Sequence, residues 1–344
     1  MKKIFLTTLI TLLVTWGILA LWPRPQAIAH NPFRKEAGAL PNIIAHGGGN
    51  HEFPDNTLEA YYNAYSVTPD VIFETDISIT KDGVLILTHD TTLDRKTTLQ
   101  YATVSEIYYT DLVQDMVDFG YENPIEPRSN GFNVTGTLNR YTNYEGNPVT
   151  PLDVAYPDGV TARHDTKFLV TTLEELITSF PNSRMIVEVK QTGEVGLQAV
   201  EALIDLLDRL DPEYNTYARI ALGSFHNDIY NQYVQLKNTT HPQLMFSPQE
   251  HSLLRFYILQ HLRMTLFFRS PATSFELPMR QMNLSLTTNS VIQTARRHNI
   301  AVNYWTINDP DDMRYLIGRD VDGIMTDRVH LMQSILEEVE AGRD

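Results

Sequence analysis

The chain has 344 residues, 42% hydrophobic and 20% charged, which suits one large domain or two small ones and excludes a disordered chain. Lys and Arg number 27 against 42 Asp and Glu, a formal net charge of −15 with no basic run longer than a pair, so no cationic footprint for a nucleic-acid backbone is present. Zero cysteines exclude disulfides, lipid attachment to cysteine and thiolate metal sites.

Taken in chain order, residues 1–29 read apart from the rest. Lys2 and Lys3 precede an uncharged run from Ile4 to Trp22, then Pro23, Pro25 and the cleavage-type triplet Ala27-Ile28-Ala29. This pattern predicts a secretory signal. The run is also long enough to span a bilayer, so an uncleaved anchor through residues 4–22 is the alternative. Either way the body is expected to be exported, to the periplasm or outside the cell, with residues 30–41 as a linker.

Short apolar, β-branched runs then recur at 43–46, 71–78, 84–88, 184–190, 219–225, 243–247, 301–307 and 323–326. Helical patterns separate most of them, at 57–66, 172–180, 194–209, 227–236, 249–262, 289–298 and 310–317. Thr172 with Glu175 makes a capping box, and Asp309-Pro310 and Asn289 are further helix starts. Buried-type strands alternating with helices predict an α/β fold, a closed (β/α)8 TIM barrel over 42–335 with a tail at 336–344. An open doubly wound sheet is the alternative, weakened by the absence of a dinucleotide fingerprint or P-loop. Residues 97–170, inserted after the third strand, break the rhythm. Their Tyr, Phe, Asn, Gly and Pro content, Phe132 included, and one short helical stretch at 103–113 predict an ordered cap.

Glu74 and Asp76 lie two apart on a strand and so share a face. Two carboxylates pointing together repel unless a cation sits between them, and Mg²⁺ or Ca²⁺ prefers such oxygen donors. Glu188 and Lys190 repeat the spacing at the end of 184–190, where a barrel places its site; Glu188 can complete a three-carboxylate shell, and Lys190 can meet a phosphoryl oxygen or neutralise an acid. His46 and His89 end the strands on either side of the Glu74/Asp76 strand and suit a general acid and base. Three glycines after His46 leave room near the backbone. The other histidines, His51 among them, read as surface or packing.

The series AHGGG…PDNTLEA, FETDISITKDGVLILTHDTTLDR, IVEVK, GSF, YWTIND and VDGIMTD resembles the glycerophosphodiester phosphodiesterase family from about residue 42 to 330. The resemblance implies a (β/α)8 barrel that hydrolyses glycerophosphodiesters with one divalent cation. It implies metal ligands at Glu74, Asp76 and Glu188, catalytic histidines at His46 and His89, an active-site lysine at Lys190 and a pocket aromatic at Trp305. The insertion matches the family's cap. Where the family usually has His-Arg-Gly, this chain has His46-Gly47-Gly48, so one cationic phosphate contact is missing. Glu-Asn-Thr becomes Asp55-Asn56-Thr57, which shortens a supporting carboxylate. A small phosphodiester is the expected substrate; a lysophospholipid, or phosphodiester binding without turnover, are the alternatives.

Overall fold

In the computed structural model, which describes residues 2–122, 138–281 and 284–343, the short apolar runs pair as one parallel sheet. The strands in chain order are β1 (Asn42–Ala45), β2 (Ile72–Ile79), β3 (Leu85–Leu87), β4 (Met185–Val189), β5 (Ile220–Gly223), β6 (Met245–Phe246), β7 (Ser274–Leu277), β8 (Ala301–Tyr304) and β9 (Gly323–Thr326). Eight of them follow the hydrogen-bonded order β6-β5-β4-β2-β1-β9-β8-β7, and β3 lies off this path. The two ends of the path meet where the Thr273 N–H donates to Phe246 O at 3.0 Å, so the barrel is nearly closed.

Helices flank the sheet: α1 (Lys2–Leu21) ahead of the barrel, then α2 (Leu58–Val67), α3 (Leu173–Ser179), α4 (Gly193–Tyr214), α5 (Asn227–Thr239), α6 (Glu250–His261), α7 (Asn289–Arg297), α8 (Pro310–Gly318) and α9 (Val329–Ala341). Their starts follow from local chemistry. Glu175 N–H donates to Thr172 Oγ1 at 3.1 Å while Thr172 N–H donates to Glu175 Oε2 at 3.0 Å, closing the expected box at α3. Asp309 caps α8 by accepting from the Asp311 and Asp312 amides.

Strand alternation turns Ile44, Ile72, Ile186, Ala221, Met245 and Ala301 into the barrel, where they pack on Phe33. Phe33 is fully buried, a burial worth about 1.5–3 kcal/mol. Residues 30–41, expected as a linker, therefore supply the barrel floor. Residues two and four positions further along the same strands point toward the mouth at the strands' C-terminal ends.

Three sequence expectations change here. The apolar run at 84–88 is not a barrel stave: Asp82-Gly83 turns the chain and β3 folds back antiparallel on β2, with Ile77 opposite Leu87. The missing stave is β7, hidden in the sequence because Pro271 and Pro278 bound it and Glu276 interrupts its apolar pattern. The tail expected from 336 is helical to Ala341, because Met332, Ile335 and Leu336 share a buried face.

The insertion runs between β3 and α3. Its short helix is Tyr109–Gln114; Phe119, Tyr141 and Phe168 are buried, and Arg163 pairs with Glu59 of α2 at 3.0 Å. Phe132 lies outside the described residues. The run at 4–22 forms α1; among the described residues no helix is long and apolar enough to cross a membrane.

Candidate active site

β1 ends at Ala45, and the next residues leave the sheet in a single 3₁₀ turn. Gly47 sits at φ +54, and a Cβ there would come within 2.9 Å of Asp55 Cβ; at Gly48, φ +86, it would meet Ala60 Cβ at 2.8 Å. An arginine at 47 would therefore be strained and would crowd Asp55. The tight turn lets the Gly47 amide donate to Glu74 Oε2 at 3.0 Å. The glycine that replaces the family arginine thus holds a carboxylate through its backbone.

Glu74 and Asp76 point into the barrel from β2, and Glu188 sits opposite Asp76 on β4. One oxygen of each lies within 4.8 Å of the others. Asn56 steadies Asp76, donating from Nδ2 to Asp76 Oδ2 at 3.0 Å and accepting from the Asp76 amide at 3.0 Å. Lys190 Nζ lies 2.8 Å from Asp76 Oδ1 and 3.0 Å from Glu188 Oε1. Burial, then the charge of Asp76, pushes the Glu74 carboxyl up to about 8. Burial also raises Glu188. Burial works the same way on Asp76, but Lys190, His89 and His46 outweigh it and hold that carboxyl well below its ordinary value. Three converging hard oxygens with backbone and amide support fit one divalent cation, which would relieve the repulsion that lifts Glu74.

The two histidines flank this cluster and are built alike. His46 Nδ1 donates to Asp327 Oδ1 at 2.7 Å, and His89 Nδ1 donates to Asp90 Oδ1 at 2.9 Å. Each ring is about a quarter exposed, and each pairing fixes a tautomer and leaves Nε2 for other work. Burial opposes charge on His46, but the charge and hydrogen bond of Asp327, then Glu74 and Asp76, lift its pKa to about 10. Asp327 is pushed upward by burial, yet His46, His51 and Asn308 together bring it down to about 2. Behind His89, Arg95 forks onto Asp55 at 3.1 Å, reaches Asp90 and fixes the shortened carboxylate in place.

The structure thus brings together His46, Gly47, Asp55, Asn56, Glu74, Asp76, His89, Glu188 and Lys190. Trp305, at the end of β8, stands on the other side of the mouth, edge-on to Phe225 with ring centroids 6.0 Å apart. Sequence reasoning assigned no role to Asp327, Asp90, Arg95 or Phe225, although each lies in or beside a stretch that carries the resemblance. His51 departs from expectation: its Nε2 is 3.6 Å from Asp327 Oδ2, and it stacks on Tyr144 of the insertion at 5.1 Å. Only the fold reveals that neighbourhood.

Against known proteins, the sequence profile of the Glycerophosphoryl diester phosphodiesterase family matches residues 46–331. The chain is similar to a probable glycerophosphodiester phosphodiesterase 2 of Mycobacterium tuberculosis, 25% identical over a stretch covering 48% of this chain and 60% of that protein. It is also similar to lysophospholipase D GDPD1 of Rattus norvegicus, 22% identical over 98% of this chain and 97% of that one. Among solved structures, an Oleispira antarctica phosphodiesterase in complex with the product sn-glycerol-3-phosphate shares the fold, with TM-score 0.58 and 17% identity over 87% of this chain and 97% of that one. With the match spanning the barrel from the first catalytic-type histidine to the last helix, the chain belongs to the glycerophosphoryl diester phosphodiesterase family.

Proposed function

We propose that this enzyme hydrolyses glycerophosphodiesters to glycerol phosphate and an alcohol, with His46 and His89 moving the protons. The observation that carries this reading is the pairing of two carboxylate-held histidines on either side of the Glu74, Asp76 and Glu188 cluster. Those three residues would hold one Mg²⁺ or Ca²⁺, which when bound supplies Lewis-acid polarisation of phosphoryl oxygens. Lys190 adds positive charge beside the cluster, and the family's phosphodiester chemistry, with the sn-glycerol-3-phosphate bound by the Oleispira relative, gives the substrate class.

In this reading one ring takes a proton from the attacking hydroxyl and the other gives one to the leaving alcohol, each through Nε2. The surroundings favour the protonated form of His46, so we assign it the acid role and His89 the base role. Asp327 and Asp90 keep each Nδ1–H occupied, so neither ring turns away.

A second reading changes only the substrate. The rat lysophospholipase D aligns over nearly the whole chain, and Phe225, 71% exposed beside Trp305, offers an apolar edge at the mouth. The test is hydrolysis of glycerophosphocholine and of a lysophospholipid with EDTA, Mg²⁺ or Ca²⁺, beside a His46→Ala, His89→Ala double variant. Cation-dependent release lost in the variant is expected, and the better substrate decides between the readings. A folded protein that releases nothing with any cation would overturn both and leave a binding role.

A further inference from the structure

We propose that the floor end of the barrel is a docking face for an anionic lipid bilayer, formed by α1, α6 and the turn Thr265–Phe267, and that the exported chain keeps its leader to form it. The first observation is anchorage. Arg24, only 7% exposed, donates from Nε to Thr265 Oγ1 at 2.9 Å. His298 Nδ1 donates to Pro25 O at 2.9 Å, and Asn299 Nδ2 donates to Ile28 O at 3.0 Å and Ala29 O at 3.3 Å. Cleavage after Ala29 would remove every one of these partners and leave the floor plug Phe33 next to a loose terminus. The segment that a signal peptidase would have to release is thus built into the barrel.

The second observation is charge. Residues 1–35 hold Lys2, Lys3, Arg24, Arg34 and Lys35, residues 251–275 hold Arg255, Arg263 and Arg269, and neither segment contains any of the chain's 42 Asp and Glu. Arg24 is buried, and Arg34 and Lys35 face Asp322 and Asp320, so the basic charge on this face is that of Arg255, Arg263 and Arg269 around the turn Thr265–Phe267, Arg255 donating to Phe267 O and Arg269 to Leu266 O. Arg263 bridges the two segments, its guanidinium 5.6 Å from the Trp16 ring.

The third is exposed apolar surface. On α1, Ile4, Phe5, Leu12, Leu13 and Leu21 are each more than half exposed; beside it Ile258, Leu262 and Phe267 are exposed by 51%, 54% and 51%. A helix that is apolar all round is stable in apolar surroundings, and an apolar face rimmed by Arg fits an interface with anionic headgroups. The proposal needs α1 to enter lipid, not to cross it. Asn31 donates to Thr273 O just ahead of β7, which fixes this face at the N-terminal ends of the strands. The catalytic-type residues open at the opposite end, away from the bilayer.

The chain has no cysteine, so single labels report cleanly. Leu262→Cys and Phe267→Cys, each carrying an environment-sensitive fluorophore in the full chain, should move to blue-shifted, lipid-quenchable emission with phosphatidylcholine–phosphatidylglycerol vesicles. A label at Tyr101→Cys in the insertion should stay in water. Arg255→Gln with Arg269→Gln should weaken the response roughly thirtyfold at low salt, each basic residue near an anionic surface contributing about fivefold; an unchanged melting temperature shows that the variant is folded. Labels at 262 and 267 that stay in water while the full chain floats with the vesicles would overturn the docking face, as would equal response to pure phosphatidylcholine. An exported chain whose intact mass begins at His30 would overturn the retained leader.

Discussion

On one side of the barrel mouth, β1, β2, β4 and the turn after β3 present His46, Glu74, Asp76, His89, Glu188 and Lys190. On the other, the ends of β5 to β8 present Phe225, Ser247, Glu276, Asn303 and Trp305. In the first half nearly every ionisable group faces an opposite charge: Lys190 lies between two carboxylates and each histidine leans on an aspartate. In the second, the carboxyl of Glu276 rests on neutral partners. Burial pushes Glu276 up, against hydrogen bonds from Ser247, Ser274, Asn303 and its own backbone amide. Under the proposed function, the first half would move protons and hold a cation, and the second would receive a neutral or apolar group by shape. The same barrel gives both because each strand end can be set independently of its neighbours.

The sharpest way to break this comparison is to neutralise one member of the charged half. Glu188→Gln should lower kcat/KM by about 10³ or more and weaken Mg²⁺ or Ca²⁺ binding in titration calorimetry. Retained activity with retained cation affinity would mean that the cluster is only an ion-pair network. His46→Ala and His89→Ala should each cost about 10²–10⁴ in kcat. If the two rings act on one reaction as proposed, the double variant should fall close to the worse single rather than to their product. Asp327→Asn tests orientation and charge together. A loss of about 10–100-fold is expected, and the alkaline limb of the rate profile should shift to lower pH, since His46 would lose its main cationic support. An unshifted limb would remove the acid role from His46.

The charged half was largely legible in the sequence, and the reason is physical. A charged residue two positions from another on an apolar strand is conspicuous, and alternation alone predicts a shared face, as for Glu74 with Asp76 and Glu188 with Lys190. Asp327 was not legible, because it reaches His46 across a barrel closure that joins residues 281 positions apart; His51 is near His46 in sequence, but the carboxylate it meets, Asp327, lies across that same closure. Helices with clear caps, such as α3 and α8, appeared where expected. β7 did not, since a four-residue strand between prolines with a central Glu carries no periodic signal. Its loss was masked by β3, a strand-like run that lies off the barrel, so the expected count of eight came out right for a partly wrong set.

The neutral half should respond differently. Trp305→Ala should raise KM by about tenfold, the scale of a lost aromatic contact, with kcat within about threefold. An equal fall in kcat would place Trp305 in the chemistry and blur the two halves into one.

The smallest expected effect is the most direct contrast. Glu276→Gln makes the same change as Glu188→Gln, in the other half. Because burial raises the folded-state pKa of Glu276 above its ordinary value, the native state prefers the protonated carboxyl. The stability this preference confers is complete below the ordinary carboxylate range and declines as pH rises through the folded-state pKa. Gln imitates the protonated form at every pH. The variant should therefore match the parent in acid and melt higher at neutral pH, read from thermal melts at the two pH values, with kcat nearly unchanged. If melting falls instead, Glu276 is held as a carboxylate by something the neutral half was not thought to supply. The two sides of the mouth would then differ in degree rather than in kind.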